Sequence, residues 1–223
     1  NRTKALKRDK HILTLEQDML RSQMNPHFIF NSLNSIKLYI INNEKENAVY
    51  YLNKFSKLIR KILMASKEKE TSLHDELETM KLYMNIENMR FSNEIDFTIN
   101  VDDSINTQVT KVPSLVLQPF LENSLWHGLS SKSENKKIDL NVIKNSSGYI
   151  SLEIVDNGIG RIASRKINNK KKLKRKSVGI DLTKARLANF SKAFSNSYTL
   201  NIEDLYNHET PSGTKIILQI PIT

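Results

Sequence analysis

Five short stretches carry side chains able to hold, polarise or accept a phosphate-bearing group. In "QMNPHFIFNSLN", His27 and Asn31 stand four residues apart, so on a helix they share a face and the carboxamide can orient the imidazole. A neutral imidazole nitrogen is a competent nucleophile near pH 7, since its ordinary pKa is about 6.5. A single histidine in a helix is more often a structural or surface group, and no second histidine stands at metal-ligand spacing. In "LQPFLENSLWHG", the neighbours Glu122 and Asn123 diverge by about 100° around a helix, whereas Asn123 and His127 share a face. The Asn123 carboxamide oxygen suits Mg²⁺, a hard cation that keeps waters and phosphates, or it is an ordinary capping group. "VDNGIG" ends a strand on Asp156 and turns on Gly158 and Gly160. A carboxylate there can accept from an exocyclic amine while bare backbone borders the ligand; a plain turn has the same letters. "SVGIDLTKARL" sets Gly179 at a helix start, where free N–H groups suit an anion or simply begin a helix. In "SGTKIILQIP", Thr214 either meets a ligand or pairs across a sheet.

The elements that must position these groups fall into two sets. Up to about residue 90 the apolar residues recur at helical spacing. One run includes Leu13, Leu20, Met24, Phe28, Leu33 and Ile36, broken or restarted at Pro26; a second includes Leu52, Phe55, Leu58 and Ile62. Residues 42–47 read as the turn between them. Two such helices cannot bury both apolar stripes alone, so pairing with a second copy in a four-helix bundle is expected. Ser72 with Asp75 has the form of a capping box opening a third helix through Met89. Alternation then marks strands in "EIDFTINVD", "KIDLNVI", "YISLEIVD", "YTLNIED" and "GTKIILQIP", with helices expected over residues 113–127 and 179–194. The pattern predicts an α+β second domain. Five of the six glycines, Gly128, Gly158, Gly160, Gly179 and Gly213, lie mostly beside the polar clusters.

Composition narrows the function classes. The 223 residues are 39% apolar and hold no cysteine, which supports a packed core and excludes disulfides, thiolate metal sites and a cysteine nucleophile. The net charge of +10 points first to nucleic acid, but eight basic residues fall between positions 165 and 176, leaving +2 elsewhere. That concentration in one loop-like segment without recurrent aromatics reads as a solvated loop, so no nucleic-acid partner is expected. No apolar run reaches the roughly 18 residues of a membrane span, and no signal peptide opens the sequence. The chain reads as a soluble piece of a longer protein, whose remainder has room for membrane spans.

Taken in order, "NPHFIFNSLN", "LQPFLENSLWHG", "DNGIG", "SVGIDLTKARL" and "SGTKIILQIP" resemble the LytS/YehU-type sensor histidine kinases, from about Leu15 to Pro221. The resemblance implies a helical dimerisation and phosphoacceptor domain over residues 1–70. It also implies an ATP-binding catalytic domain over residues 71–223, an α/β sandwich of the histidine kinase, DNA gyrase, heat-shock chaperone and MutL type. A lid spans about residues 158–178 and contains the basic run.

By the same resemblance His27 is the phosphoacceptor, with Asn31 in its motif, and Glu122 is a general base or water organiser. Asn123 holds Mg²⁺, with His127 beside the nucleotide. Asp156 reads the adenine amine, flanked by Gly158 and Gly160. Gly179 lies at the phosphate-side helix, and Thr214 near the adenine edge. ATP and Mg²⁺ are the implied cofactors. The implied partners are a response regulator receiver domain and a second copy of the chain, and the parent would be an inner- or plasma-membrane protein with this part cytoplasmic. The chain departs from the pattern at Trp126, where relatives carry a lysine. It departs also at Ser177 and Leu182, which replace a glycine and an asparagine of the phosphate-side motif. Those departures favour the alternative, a non-catalytic ATP-sensing or dimerisation module.

Overall fold

A computed structural model of the chain describes residues 26–145, 148–161, 163, 164 and 178–222. The segment holding Leu13, Leu20 and Met24, the basic run and Ser177 lie outside the described residues. Helix α1 (Pro26–Ile41) starts on proline, whose missing N–H costs nothing in a first turn. It ends where Asn43 takes a left-handed φ of 62° and the Glu44 N–H bonds the Tyr39 carbonyl at 2.8 Å. The turn occupies residues 42–44 rather than the expected 42–47, because Lys45 already opens α2 (Lys45–Ala65).

Along α2 the buried residues Ala48, Tyr51, Phe55, Leu58 and Ile62 recur every three or four positions, which makes one apolar stripe. Tyr51 stacks on Tyr39 of α1 with ring centroids 5.3 Å apart, and Phe55 meets Phe28 at 6.3 Å. Other faces of the hairpin stay open, with Phe30, Leu38, Ile40, Ile41, Val49 and Met64 each more than half exposed.

A short strand β1 (Glu70–Ser72) leads into α3 (Leu73–Arg90). The predicted cap is present: Ser72 Oγ accepts the Asp75 N–H at 3.1 Å and donates to the Asp75 carboxylate at 2.9 Å. Helix α3 is buried on nearly every side, from Leu73 and Met80 to Ile86, since it lies between the hairpin and the sheet. Tyr83 in its middle stacks on Phe28 at 5.3 Å, which fixes the start of α1 against it.

The expected helix over residues 113–127 is shorter than its pattern suggested. Residues 111–113 form β3 (Lys111–Pro113), paired antiparallel with β1, and Leu115 adopts φ 56°, so the helix α4 (Gln118–Asn123) begins only beyond that bend. A single π-helical turn, Ser124–Leu129, continues it.

The main sheet orders its strands β2 (Ile95–Val101), β4 (Lys136–Asn145), β5 (Tyr149–Asp156), β7 (Thr210–Pro221) and β6 (Thr199–Asn207). The β2–β4 pair is parallel and the others antiparallel. One face buries Ile138, Leu140, Leu152, Ile154, Ile216 and Leu218 beneath the helices. The other carries polar cross-strand pairs such as Asn100–Asn141, Lys215–Glu153 and Thr199–Gln219. Helix α5 (Val178–Ser191) completes the helical layer. The expected α+β sandwich with helices on one face of a mixed sheet is therefore what the sequence forms.

Candidate functional site

The end of β5 is the centre of the site. Asp156 is 2% exposed, and its carboxylate accepts from Ser124 Oγ at 2.9 Å and from the Gly158 N–H at 3.0 Å. Burial pushes its pKa up, against the hydrogen bonds from Gly158, Ser124 and Thr214 that favour the anion. A carboxylate offers about four lone-pair sites, so these three donors still leave room for a further one. The neighbouring Asn157 turns the other way and locks the bend. Its oxygen accepts the Lys137 N–H at 2.9 Å, its amide donates to the Asn135 carbonyl at 2.6 Å, and Lys132 Nζ bonds its carbonyl at 2.8 Å. The D-N-G letters thus make a turn and a site carboxylate together.

Two glycines are sterically required here. A Cβ on Gly158 would lie 2.5 Å from the Gly128 backbone, and one on Gly213, whose φ is 146°, would lie 2.0 Å from the Asp156 carbonyl oxygen. Bare backbone therefore lets the π-helical turn and β7 close on either side of Asp156. Gly213 also falls where the β6–β7 register shifts.

Around this point lies a cavity of ≈ 340 Å³. Asn123, His127 and Gly128 border it on the helical side, Asp156, Gly160 and Thr214 on the sheet side, and Ile180, Ile202 and Ile216 supply apolar walls. The shared face of Asn123 and His127, expected from their spacing, therefore opens on the cavity. Thr214 pairs in register with Asp156 across the β5–β7 ladder. At the rim, Arg161 makes a bidentate ion pair with Asp204 of β6, at 2.7 and 2.8 Å.

The remaining sequence candidates lie elsewhere. Glu122 and Gly179 border a separate small void between α4 and α5, which fits the divergence of Glu122 from Asn123 by about 100° around the helix. Gly179 makes only an ordinary contact with Pro119, so sterics do not demand a glycine there. Leu182 borders the same void. His27 is exposed on the first turn of α1, with Asn31 Nδ2 2.8 Å from its Nδ1.

Trp126 does not border the cavity. Its ring lies under the Arg90 guanidinium at 4.3 Å and against Phe91 at 5.6 Å, while Arg90 pairs with the buried Glu87 at 3.2 Å. Sequence reasoning missed Ser124, Arg161 and the isoleucine walls. Ser124 was legible only as the neighbour of Asn123, and isoleucines in strands look the same whether they face core or ligand.

A cavity of this size, lined by aliphatic walls with a few convergent polar groups beside a helix-covered mixed sheet, has the form of a small-molecule site. The comparisons agree. The histidine kinase family model matches residues 15–95. The sensor protein LytS of Enterococcus faecalis (strain ATCC 700802 / V583) is 29% identical over 203 residues, covering 91% of this chain and 33% of the relative. The sensor histidine kinase/phosphatase LytS of Staphylococcus aureus (strain MRSA252) is 32% identical over 142 residues, covering 63% and 24%. The chain thus spans a third or less of these relatives' lengths. A solved histidine kinase domain, from the Erythrobacter litoralis EL346 blue-light activated histidine kinase, superposes with a TM-score of 0.50 at 12% identity, covering 88% of this chain and 96% of that one. The resemblance to the LytS-type sensor histidine kinases is borne out along most of the chain.

Proposed function

We propose that this chain is the catalytic core of a two-component sensor histidine kinase, which takes the γ-phosphoryl group of ATP onto His27. The observation that carries the reading is the open cavity around the buried Asp156 carboxylate, in one chain with an exposed histidine on the first turn of a helix. A flat base fits between Ile180, Ile202 and Ile216, with its exocyclic amine donating to Asp156. Asn123 and His127 then face the sugar and phosphates. Among the described residues no cluster of three His, Asp or Glu side chains is placed to hold a metal ion. The donor set fits a magnesium ion that keeps waters and phosphate oxygens and takes one carboxamide, that of Asn123. Such an ion would neutralise charge developing on the phosphates.

In the transfer the bond from the γ-phosphorus to its bridging oxygen breaks, a bond to an imidazole nitrogen forms, and ADP carries away the electron pair. The imidazole N–H proton must leave, and Asn31 orients the ring for attack. Glu122, immediately before Asn123, is the carboxylate we assign to take that proton or order a water. The phosphoryl group then passes to an aspartate of a response regulator receiver domain. The hairpin acts as the dimerisation and phosphoacceptor part over residues 1–70, and residues 71–223 as the ATP-binding part. Among the described residues no helix is long and apolar enough to cross a membrane, and we assign membrane anchoring to the rest of the parent protein.

Incubation with γ-labelled ATP should give a label that is lost in acid and kept in alkali, and His27→Ala should abolish it. Nucleotide binding without label, even with the activating partner present, would instead favour a non-catalytic ATP sensor.

A further inference from the structure

Helix α3 buries a carboxylate where its neighbours are apolar. Glu76 is 1% exposed, between Leu73 and Met80 on the same face. Its two oxygens accept the Leu115 N–H at 2.9 Å and the Leu117 N–H at 3.0 Å, and the Val116 N–H also favours the anion. The left-handed turn at Leu115 makes this possible, because it aims successive amides at one point and forms an anion-holding nest. From the far side Arg186 of α5 donates Nη1 to the Ser114 carbonyl at 2.9 Å, and its charge also favours the Glu76 anion.

What this carboxylate holds determines what it can do. Leu117 is the residue immediately before α4, the helix that ends in Asn123. Arg186 lies on α5, whose Ile180 is a cavity wall. The loop of residues 114–117 is thus gripped by Glu76 on one side and by Arg186 on the other, and both helical walls of the cavity are fixed through it. An apolar side chain would fill the space of Glu76 without the desolvation cost, but it would leave three amides unpaired and the loop undirected.

We propose that Glu76 is a positioning residue for the nucleotide, setting α4 and α5 at the spacing the ligand needs; this rests on reading the cavity as the ATP site. The test is the ATP affinity of the whole chain, measured by isothermal titration calorimetry. Glu76→Gln keeps the size but turns an amide N–H₂ toward a backbone donor. It should weaken ATP binding about tenfold, the equivalent of one lost charge-assisted hydrogen bond. Labelling at saturating ATP should stay within about twofold of wild type, a KM effect without a kcat effect. Leu77→Ala, a buried neighbour on the same helix, should lower the melting temperature and leave ATP affinity unchanged.

Amide exchange at residues 115 and 117 should accelerate in Glu76→Gln without nucleotide. If Glu76→Gln does not fold, Arg186→Gln probes the same loop from the other side and should also weaken binding. Unchanged ATP affinity in whichever of the two variants folds, or an equal loss in Leu77→Ala, would overturn the assignment. Failure of the wild-type chain to bind ATP would instead overturn the reading of the cavity itself.

Discussion

At the residue scale, charge and hydrogen-bonding capacity decide what the site can hold. Asp156 is buried with donors from Ser124, Gly158 and Thr214 already on it, so Asp156→Asn would turn an N–H₂ toward donors and remove the acceptor an amine needs. ATP affinity should fall by at least about tenfold, roughly 1.4 kcal/mol, in a calorimetric titration; an unchanged affinity would separate Asp156 from nucleotide recognition. Two further buried carboxylates, Glu76 and Glu87, have pKa values raised from 4.5 to about 7, chiefly by burial. The native chain then binds more protons than the unfolded chain between about pH 4.5 and about pH 7, so these groups make stability fall as pH rises through that window and level off above it. Glu87→Gln should shrink the drop in melting temperature between about pH 5 and about pH 7, and a drop of undiminished size would contradict this assignment. Asp156 and its glycines were legible only through the ordered set of motifs, since the D-N-G letters alone also make a plain turn. Glu76 was not, since one glutamate in a helix normally faces water and only its apolar neighbours hint otherwise.

At the element scale, the site depends on close approaches that tolerate no side chain. Gly158→Ala would drive a Cβ into the Gly128 backbone and separate the π-helical turn from the end of β5. The expected outcome is a loss of several kcal/mol, read as a lower denaturation midpoint, together with loss of ATP binding. Ser72→Ala should cost only about 1 kcal/mol, the value of one helix cap, and leave ATP affinity unchanged. The helices and main strands followed from periodicity and turn chemistry. The late start of α4 did not, because residues 113–117 are apolar enough to continue a helix and only the bend at Leu115 prevents it. The β1–β3 pair is three residues long on each side, too short for alternation to show. The sequence exposed the missing lysine at Trp126, but not that the indole turns from the cavity to lie beneath Arg90.

At the scale of the whole molecule, the hairpin and the sandwich are joined by α3, which packs on both. Phe28, one residue from the proposed phosphoacceptor, is anchored on Tyr83 of that helix, and Phe28→Ala should cost about 3–5 kcal/mol in a denaturant melt. The exposed apolar side chains of α1 and α2, with Phe30, Leu38 and Ile41 among them, fit burial against a second copy. Sedimentation should therefore show a dimer, and Leu38→Glu should shift it toward monomer; a wild-type monomer would contradict the pairing. Peptide mapping of the chain after incubation with Mg-ATP, kept at neutral to alkaline pH, tests the central claim most directly. A phosphoryl group on His27 in the wild-type chain, and much less of it in Asp156→Asn at the same sub-saturating ATP, is the predicted result. Phosphate on another residue, or phosphate on His27 that survives loss of the Asp156 carboxylate undiminished, would contradict it.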